Sequence, residues 1–597
     1  MKYSDLMAEW LKELGYTHCF YVAGGNIMHL LASANQHFKM VSVIHEVAAG
    51  IAVEYFNESS TGAKAFALVT AGPGMTNIVT ALAGAYLESR ELLVIGGQVK
   101  TADLSHGTLR QRGIQEIDGV AIARPVSCAS ELLQEPVDLH QFKKLLSTTS
   151  LGGRKGPVFL ELPLDIQGCS VKRADLEKPG ASQPEPMRIA NAEVIADLVS
   201  RIQAAKRPML LLGGGICRAT AAQVHDRFAS MGLPIATTWN AADRMDALHP
   251  NYFGRPNIWG QRYANVLLQQ SDLLIALGSR LGMQQTGFNW QQFVPLGDVV
   301  QVDCDMAELS KGHPELALAI HADANPVLLA LSEASLGDHG EWLEHCRQVK
   351  AVLPLIESNT TADAYISPFD FANRLSTRCV PEDIVIPCSS GGAFTVMMQV
   401  FQQKRGQTII TNKGLASMGY GLSGAIGAAF SNPSARTVLV EGDGGFAQNL
   451  QEIGTVAVNQ LNLKIFIFED NGYASIRMTQ KNYFNGDYIG CDIKSGLGLP
   501  DWEQLFKAWR MPVLRINRGF DSSPEFDKLF DSCGPAAFIV SLDPGQTYFP
   551  KITSRITDTG TMESDPLHKM SPTLSQELVE LSMLAMAIST SSATTHD

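Results

Sequence analysis

The chain has 597 residues, 45% hydrophobic and 18% charged. That length predicts about three to four domains, and the apolar content excludes a largely disordered chain. The 47 basic and 60 acidic residues leave a net charge of −13, the wrong balance for a nucleic-acid reader, which would carry a basic surplus.

The N-terminus, Met1-Lys2-Tyr3-Ser4-Asp5-Leu6, lacks the basic-then-apolar order of a signal peptide. No apolar run is long enough to predict a membrane span. The ten cysteines are scattered along the chain. Their spacing excludes zinc-ribbon and Cys-x-x-Cys patterns and predicts reduced thiols in a cytoplasmic protein.

In chain order, the first block alternates short apolar strands with Gly-rich turns. Thr17–Val22 runs into Ala23-Gly24-Gly25, and Ala65–Thr70 into Ala71-Gly72-Pro73-Gly74. Near-continuous apolar strands followed by helical stretches predict doubly wound parallel sheets covered on both faces. This domain is expected over residues 1–172. Lys172–Pro186 is polar and proline-containing and reads as a linker. A second α/β domain is expected over 186–335, entered through the apolar stretch Arg207–Leu212 and Gly213-Gly214-Gly215. After a polar connector, a third is expected over 365–550, with strands at Ile384–Ile386, Thr437–Val440 and Lys464–Phe468. A tail over 551–597 carries an amphipathic run through Leu584, then Ser/Thr-rich residues that predict disorder. The first and third blocks share a βα grammar.

The third block carries the most informative segment. One apolar strand delivers Glu441-Gly442-Asp443-Gly444-Gly445, a helix through Asn449 and Asn459 follows, and a second strand delivers Asp470-Asn471-Gly472-Tyr473. Asp443 and Asn471 therefore stand past the C-terminal ends of strands, where open α/β sheets bind ligands. A carboxylate and an amide carbonyl are hard oxygen ligands suited to Mg²⁺. Glycines at 442, 444 and 445 leave room for a phosphate, and the helix start offers N–H groups to it. The competing reading is an ordinary turn in which Asp443 only caps a helix.

This arrangement resembles the diphosphate-and-magnesium motif of thiamine-diphosphate enzymes. The resemblance implies a glutamate at a helix start in the N-terminal domain, which polarises the cofactor's aminopyrimidine ring. Val43-Ile44-His45-Glu46-Val47 offers Glu46 there. Other segments resemble the acetolactate synthase-like branch: Ala71–Asn77, Gly97-Gln98-Val99, Ile114-Gln115-Glu116 and Gly414–Leu422. On that resemblance the three domains are pyrimidine-binding, central Rossmann-like and diphosphate-binding. Glu46 and Gln115 are implied as catalytic, with His45 a weaker candidate. Gly72, Ser390, Gly391, Met418, Gly442, Asp443, Gly444, Gly445, Asn471, Tyr473 and Ile476 would join Glu46 in holding the cofactor. Met418 would wedge between its rings. Asp443, Asn471 and Tyr473 would hold Mg²⁺.

The central block resembles the branch's FAD domain. Gly213, Gly214, Gly215, Arg280, Asp303 and Asp323, with Arg124 from the first block, are the implied flavin contacts. FAD would be non-redox, since neither decarboxylation nor ligation needs net electron transfer. Where the branch has an acidic-then-Arg run, this chain reads Leu281-Gly282-Met283, so a central domain without flavin stays open.

The resemblance implies a transferase. It would decarboxylate a 2-oxo acid such as pyruvate and pass the two-carbon fragment to an acceptor carbonyl. Gln480 replaces the branch's pocket tryptophan and Cys128 a channel lysine. Gln480 and Arg477 read as polar groups for a larger, oxygen-rich acceptor. Tyr252–Pro256 and Gly260-Gln261-Arg262 resemble a subgroup that includes deoxysugar carboligases, so a nucleotide-linked keto-sugar is the specific expectation. A non-ligating decarboxylase of the same fold is the alternative, and an inactive scaffold a third reading. A homodimer or homotetramer is implied, because Glu46 would meet the cofactor across a subunit interface.

Overall fold

The computed structural model describes residues 1–150, 153–177, 187–557 and 560–584. Most of the expected linker and the Ser/Thr-rich end of the tail fall outside the described residues. The chain forms two compact units. One comprises Met1–Pro186, Glu382–Phe394 and Thr408–Ser541; the other comprises Met187–Pro381, Thr395–Gln407 and Leu542–Asp597.

The first unit holds two six-stranded parallel sheets. One contains β1 (Tyr16–Tyr21), β2 (Lys39–Ser42), β3 (Lys64–Val69), β4 (Leu92–Gln98), β5 (Ala129–Leu132) and β6 (Pro157–Pro163), in the order β2-β1-β3-β4-β6-β5. The second unit holds a five-stranded parallel sheet of β7 (Pro208–Leu212), β8 (Ile235–Thr237), β9 (Leu273–Leu277), β10 (Asp298–Asp303) and β11 (Leu318–His321), in the order β11-β10-β9-β7-β8. The first unit's other sheet contains β12 (Ile384–Ile386), β13 (Thr408–Ile409), β14 (Thr437–Gly442), β15 (Leu463–Glu469), β16 (Val513–Ile516) and β17 (Ala536–Ser541), in the order β13-β12-β14-β15-β17-β16. Counted from each sheet's own first strand, this is the order of the first sheet. The shared βα grammar is thus a shared topology. The tail adds the antiparallel pair β18 (Ser554–Ile556) and β19 (Met562–Ser564).

Central strands such as β4, β6 and β9 are buried along their whole length, as parallel strands covered on both faces must be. In the first unit, helix α1 (Glu46–Ser59) is buried from Glu46 through Phe56. It is apolar nearly all round because helices press on it from two sides. A Cβ on its Gly50 would stand 2.5 Å from Ala81 of α2 (Pro73–Glu88). A Cβ on Gly427 of α3 (Tyr420–Ser431) would stand 1.9 Å from the Ala52 carbonyl. Both helix pairs approach that closely only because glycine presents no side chain.

Candidate active site

The third sheet's C-terminal edge gathers four loops. Asp443 follows β14 and is 1% exposed. Its Oδ1 accepts the Gly444 N–H at 2.7 Å and its Oδ2 the Asn471 N–H at 2.8 Å. One carboxylate therefore ties the β14 and β15 turns together. Asn471 has φ +64°, a left-handed conformation that asparagine tolerates better than most residues, and its side chain is exposed. The loop after β12 is joined by Ser389 Oγ, which donates to the Ser417 carbonyl, and Thr411 Oγ1, which donates to the Cys388 carbonyl. Met418 is 37% exposed beside Gly419, whose carbonyl accepts from Asn449 Nδ2 at 2.7 Å. Ser390 is half-buried and Ile476 exposed on this edge.

The glycines divide by task. No atom lies within 4 Å of where a Cβ on Gly442 or Gly391 would stand, so backbone is open to a ligand at both. Gly445 meets only Glu441, at 3.4 Å. Gly444 is filled instead: a Cβ there would stand 2.4 Å from Cδ1 of Tyr473. The expected single helix after Asp443 is also broken. It runs as Asp443–Phe446, a 3-10 turn Ala447–Glu452 and Ile453–Asn459, with Asn449 non-helical. Asn449 donates its amide to Gly419 rather than continuing the helix. The turn after Asp443 therefore lacks a long helix dipole to attract an anion.

The electrostatics fit a cation. Burial and the neighbouring Asp470 carboxylate push the Asp443 carboxyl well above the ordinary range. Burial also raises Asp470 to about 6, against the pull of Arg477 2.9 Å away. Two desolvated acids facing each other are what a divalent ion would relieve.

Glu46 opens α1, 7% exposed, and its Oε2 accepts from Asn77 Nδ2 of α2 at 2.9 Å. His45 stands before it in extended backbone. Sequence reasoning missed Glu452. This fully buried carboxylate accepts the Ile44 N–H at 3.1 Å and the His45 N–H at 3.0 Å. It therefore pins the start of Glu46's helix to the segment that follows Asp443. Gly72 has φ +65°, and a Cβ there would stand 2.5 Å from the Gln115 carbonyl. Gln115 itself has φ +65° and an exposed side chain. Its loop is shaped by Glu116, which the sequence offered only as part of the Ile114-Gln115-Glu116 match, with no role. Burial opposes ionisation there, but N–H groups of Ser105, Arg112 and Gly113 hold the carboxyl down at about 2.

In the second unit, Gly213-Gly214-Gly215, Arg280 and Asp323 follow the C-terminal ends of strands, and Asp303 is the last residue of β10. Their glycines are used internally. A Cβ on Gly213 would stand 2.2 Å from the Gly278 carbonyl, and one on Gly215 2.8 Å from the Gly278 Cα. A Cβ on Gly214 would meet Asn240 at 3.3 Å. Asp303 accepts from the Asp305 N–H at 2.9 Å, and Asp323 caps the helix Ala324–Glu333 through the Asn325 N–H. Arg280 is exposed. Arg124 belongs to the other unit, exposed in the turn Arg124–Val126.

The residues taken as acceptor determinants have other partners. Arg477 is buried against Asp470. Gln480 Oε1 accepts the Ile489 N–H at 3.0 Å while its Nε2 donates to the Ile489 carbonyl at 3.1 Å. Both side chains turn to their own chain, so neither is free to grip an acceptor. Arg255 and Arg262 are buried, donating to the Phe401 and Met570 carbonyls at 2.7 and 2.9 Å. Cys128 is exposed.

Comparison with known proteins agrees with this architecture. Residues 1–122 match the thiamine pyrophosphate enzyme N-terminal TPP binding domain, 195–331 the central domain and 390–540 the C-terminal TPP binding domain. The chain is 30% identical over 570 residues to the acetolactate synthase isozyme 2 large subunit of Escherichia coli, covering 94% of this chain and 100% of that protein. It is 28% identical over 554 residues to the isozyme 1 large subunit, covering 92% and 95%. Against acetolactate synthase 1, chloroplastic, of Zea mays it is 27% identical over 576 residues, covering 93% and 87%. With three parallel α/β sheets and matches spread along its length, the chain belongs to the thiamine-pyrophosphate-dependent, acetolactate synthase-like enzymes.

Proposed function

We propose that the protein is a carboligase. It decarboxylates a 2-oxo acid, with pyruvate the first to test, and joins the remaining two-carbon fragment to an acceptor carbonyl. The observation that carries this reading is Asp443, buried and clamped between the Gly444 and Asn471 amides beside the open backbone of Gly442. Bound thiamine diphosphate would supply the nucleophilic carbon and the electron sink that decarboxylation requires.

The chain's own residues do the rest. Asp443 Oδ, the Asn471 side-chain oxygen and the Tyr473 carbonyl are the groups to hold Mg²⁺, which would neutralise a diphosphate at Gly442 and Gly391. Glu46 holds and returns a proton at Oε, steadied by Asn77 and by the Glu452 clamp behind it. Met418 would offer the cofactor an adaptable apolar side chain. Gln115 offers an amide to the substrate carbonyl or carboxylate.

FAD is assigned to the second unit as a structural group. Support comes from its sheet edge and the resemblance, while Gly213 and Gly215, already filled by Gly278, offer it no cradle. An absorption maximum from bound flavin in purified protein is the test. A nucleotide-linked keto-sugar is the proposed acceptor, supported by the resemblance of residues 252–262, since Arg477 and Gln480 lend it nothing. We place the enzyme in the cytoplasm as a homodimer or homotetramer, with Glu46 serving a cofactor across the interface. No helix among the described residues is long and apolar enough to cross a membrane.

The test is product analysis with Mg²⁺ and thiamine diphosphate. Pyruvate alone should turn over slowly and an added keto-sugar should yield a branched product. Acetolactate from pyruvate alone would replace the sugar acceptor with a second pyruvate. Prompt acetaldehyde would assign the decarboxylase alternative instead. Glu46→Gln should lower turnover by roughly 10²–10⁴-fold, the usual worth of a general acid–base group.

A further inference from the structure

Gln480 lies on helix α4 (Ala474–Tyr483), which starts where the Asn471–Tyr473 turn ends. Both ends of its amide are spent on one backbone residue, Ile489, at 3.0 and 3.1 Å. That is the pairing a neighbouring strand residue would give, made here by a side chain. The chain leaves α4, turns at Gly486, whose N–H donates to the Gln480 carbonyl at 3.1 Å, and is returned to the helix by this clamp.

Beyond Ile489 the returning segment seats on the turn. The Cys491 carbonyl accepts the Tyr473 N–H at 2.8 Å, and Gly472 pairs with Asp492 in an antiparallel bridge. A Cβ on Gly472 would stand 2.1 Å from the Cys491 carbonyl, so the contact has no slack. Ser495 Oγ accepts the Cys491 and Asp492 N–H groups, each at 3.0 Å, and rounds off the strap. Beneath it, Asn471 at φ +64° and Gly472 at φ +150° hold conformations that persist where surrounding structure over-determines them. Tyr473 then lays its ring on Gly444, so the strap's seat reaches the Asp443 turn as well.

We propose that Gln480 is a positioning residue: by pinning Ile489 it seats the 489–495 strap on the Asn471–Tyr473 turn and so sets the protein's affinity for its divalent cation. The inference rests on the cofactor reading above and adds a determinant that touches neither cation nor cofactor. It also gives the amide of Gln480 a task other than contact with an acceptor.

The test compares the full-length protein with Gln480→Ala and Gln480→Met, the second keeping the side chain's bulk without its polar atoms. Mg²⁺ is titrated at fixed thiamine diphosphate while tryptophan emission is followed. Trp502 packs on Phe446, the last residue of the Asp443 turn, with ring centroids 5.6 Å apart. Both variants should need about tenfold more Mg²⁺, the equivalent of one or two lost hydrogen bonds. They should also be cut faster by protease between 484 and 498, with ligand-free melting temperature unchanged. A merely structural residue would move the melting temperature and leave the Mg²⁺ midpoint alone. Midpoints within twofold of the parent in both variants would overturn the proposal. Failure of the cofactor reading looks different, because the parent protein itself would then give no response to Mg²⁺ and thiamine diphosphate.

Discussion

Gly444 shows what one residue decides at this site. Its neighbour Gly442 faces open space, whereas Gly444 faces the Tyr473 ring 2.4 Å from a virtual Cβ. Gly444→Ala must therefore move an aromatic ring that belongs to the β15 turn. We expect Mg²⁺-dependent thiamine-diphosphate binding to weaken at least tenfold, while Gly442→Ala should instead block the diphosphate sterically and leave the turn intact. Calorimetric titration checks the first, and equal affinity in Gly444→Ala and parent would refute it. Motif spacing placed three glycines around Asp443 but could not say which of them faced a ligand. That depends on Tyr473, which arrives from another strand. Glu161 makes a second residue-scale case. It is 2% exposed in β6, and burial raises its carboxyl from 4.5 to about 8, with Gln98 opposing and Asp118 adding to the rise. A raised folded-state value means the fold binds the proton more tightly than the unfolded chain does. Stability from this group is thus fully present below pH 4.5 and is lost as pH climbs through 8. Glu161→Gln removes the titration, so its urea midpoint should gain on the parent's between pH 5 and 8, by at most about 1.4 kcal/mol per pH unit. A gap that stays flat over that range would show the carboxyl ionising normally.

At the scale of elements, two of the carboxylates on α1, Glu46 and Glu54, have opposite duties. Glu46 at its start is the proposed proton carrier. Glu54, two turns on and fully buried, accepts from Arg90 Nη1 at 2.8 Å, Asn412 Nδ2 at 3.1 Å and Tyr420 OH at 2.8 Å. Arg90 Nη2 also donates to the Thr411 carbonyl at 2.7 Å. The network ties α1 to the loop that carries Met418 and to the start of α3. Gly84 makes room for it, since a Cβ there would overlap the Tyr420 hydroxyl. Breaking a buried pair leaves a charge without compensation, so Glu54→Ala should cost about 3–5 kcal/mol and Tyr420→Phe about 1 kcal/mol. Urea unfolding measures both, and a Glu54→Ala cost near that of Tyr420→Phe would mean Arg90 finds another partner. The strand–turn–helix grammar was legible because apolar runs and Gly-rich turns are local signals, whereas Glu46 was singled out only by the family resemblance. Glu452 and Glu54 were not, because a lone glutamate in a helical stretch reads as solvated until the partner 408 or 366 residues away is in place. The break at Asn449 escaped for the same reason, its competing acceptor being the distant Gly419 carbonyl.

For the whole molecule, the three sheets solve one problem three times. In each, the first strand lies beside the third and the chain then departs to opposite sides, which leaves a crevice at the C-terminal ends of those two strands. The crevices differ in how they are filled. In the second unit Gly213 and Gly215 close on Gly278, and in the first sheet a Cβ on Gly24 would stand 2.4 Å from Thr70. Between β12 and β14 the corresponding backbone at Gly391 and Gly442 is open. Topology alone makes three equivalent candidates, and packing at their glycines singles out one. Hydrogen exchange read segment by segment can therefore locate the cofactor without any assay of turnover. Adding Mg²⁺ and thiamine diphosphate to the full chain should slow exchange at 388–392, 441–446 and 470–474. Residues 213–216 and 278–280 should not respond, whereas added FAD should protect them. A ligand that binds only the native state at a hundred times its Kd stabilises by about 2.7 kcal/mol, enough to slow local opening roughly a hundredfold. Protection of 213–216 by thiamine diphosphate, with none at 441–446, would move the cofactor site to the second unit and overturn the assignment of Asp443.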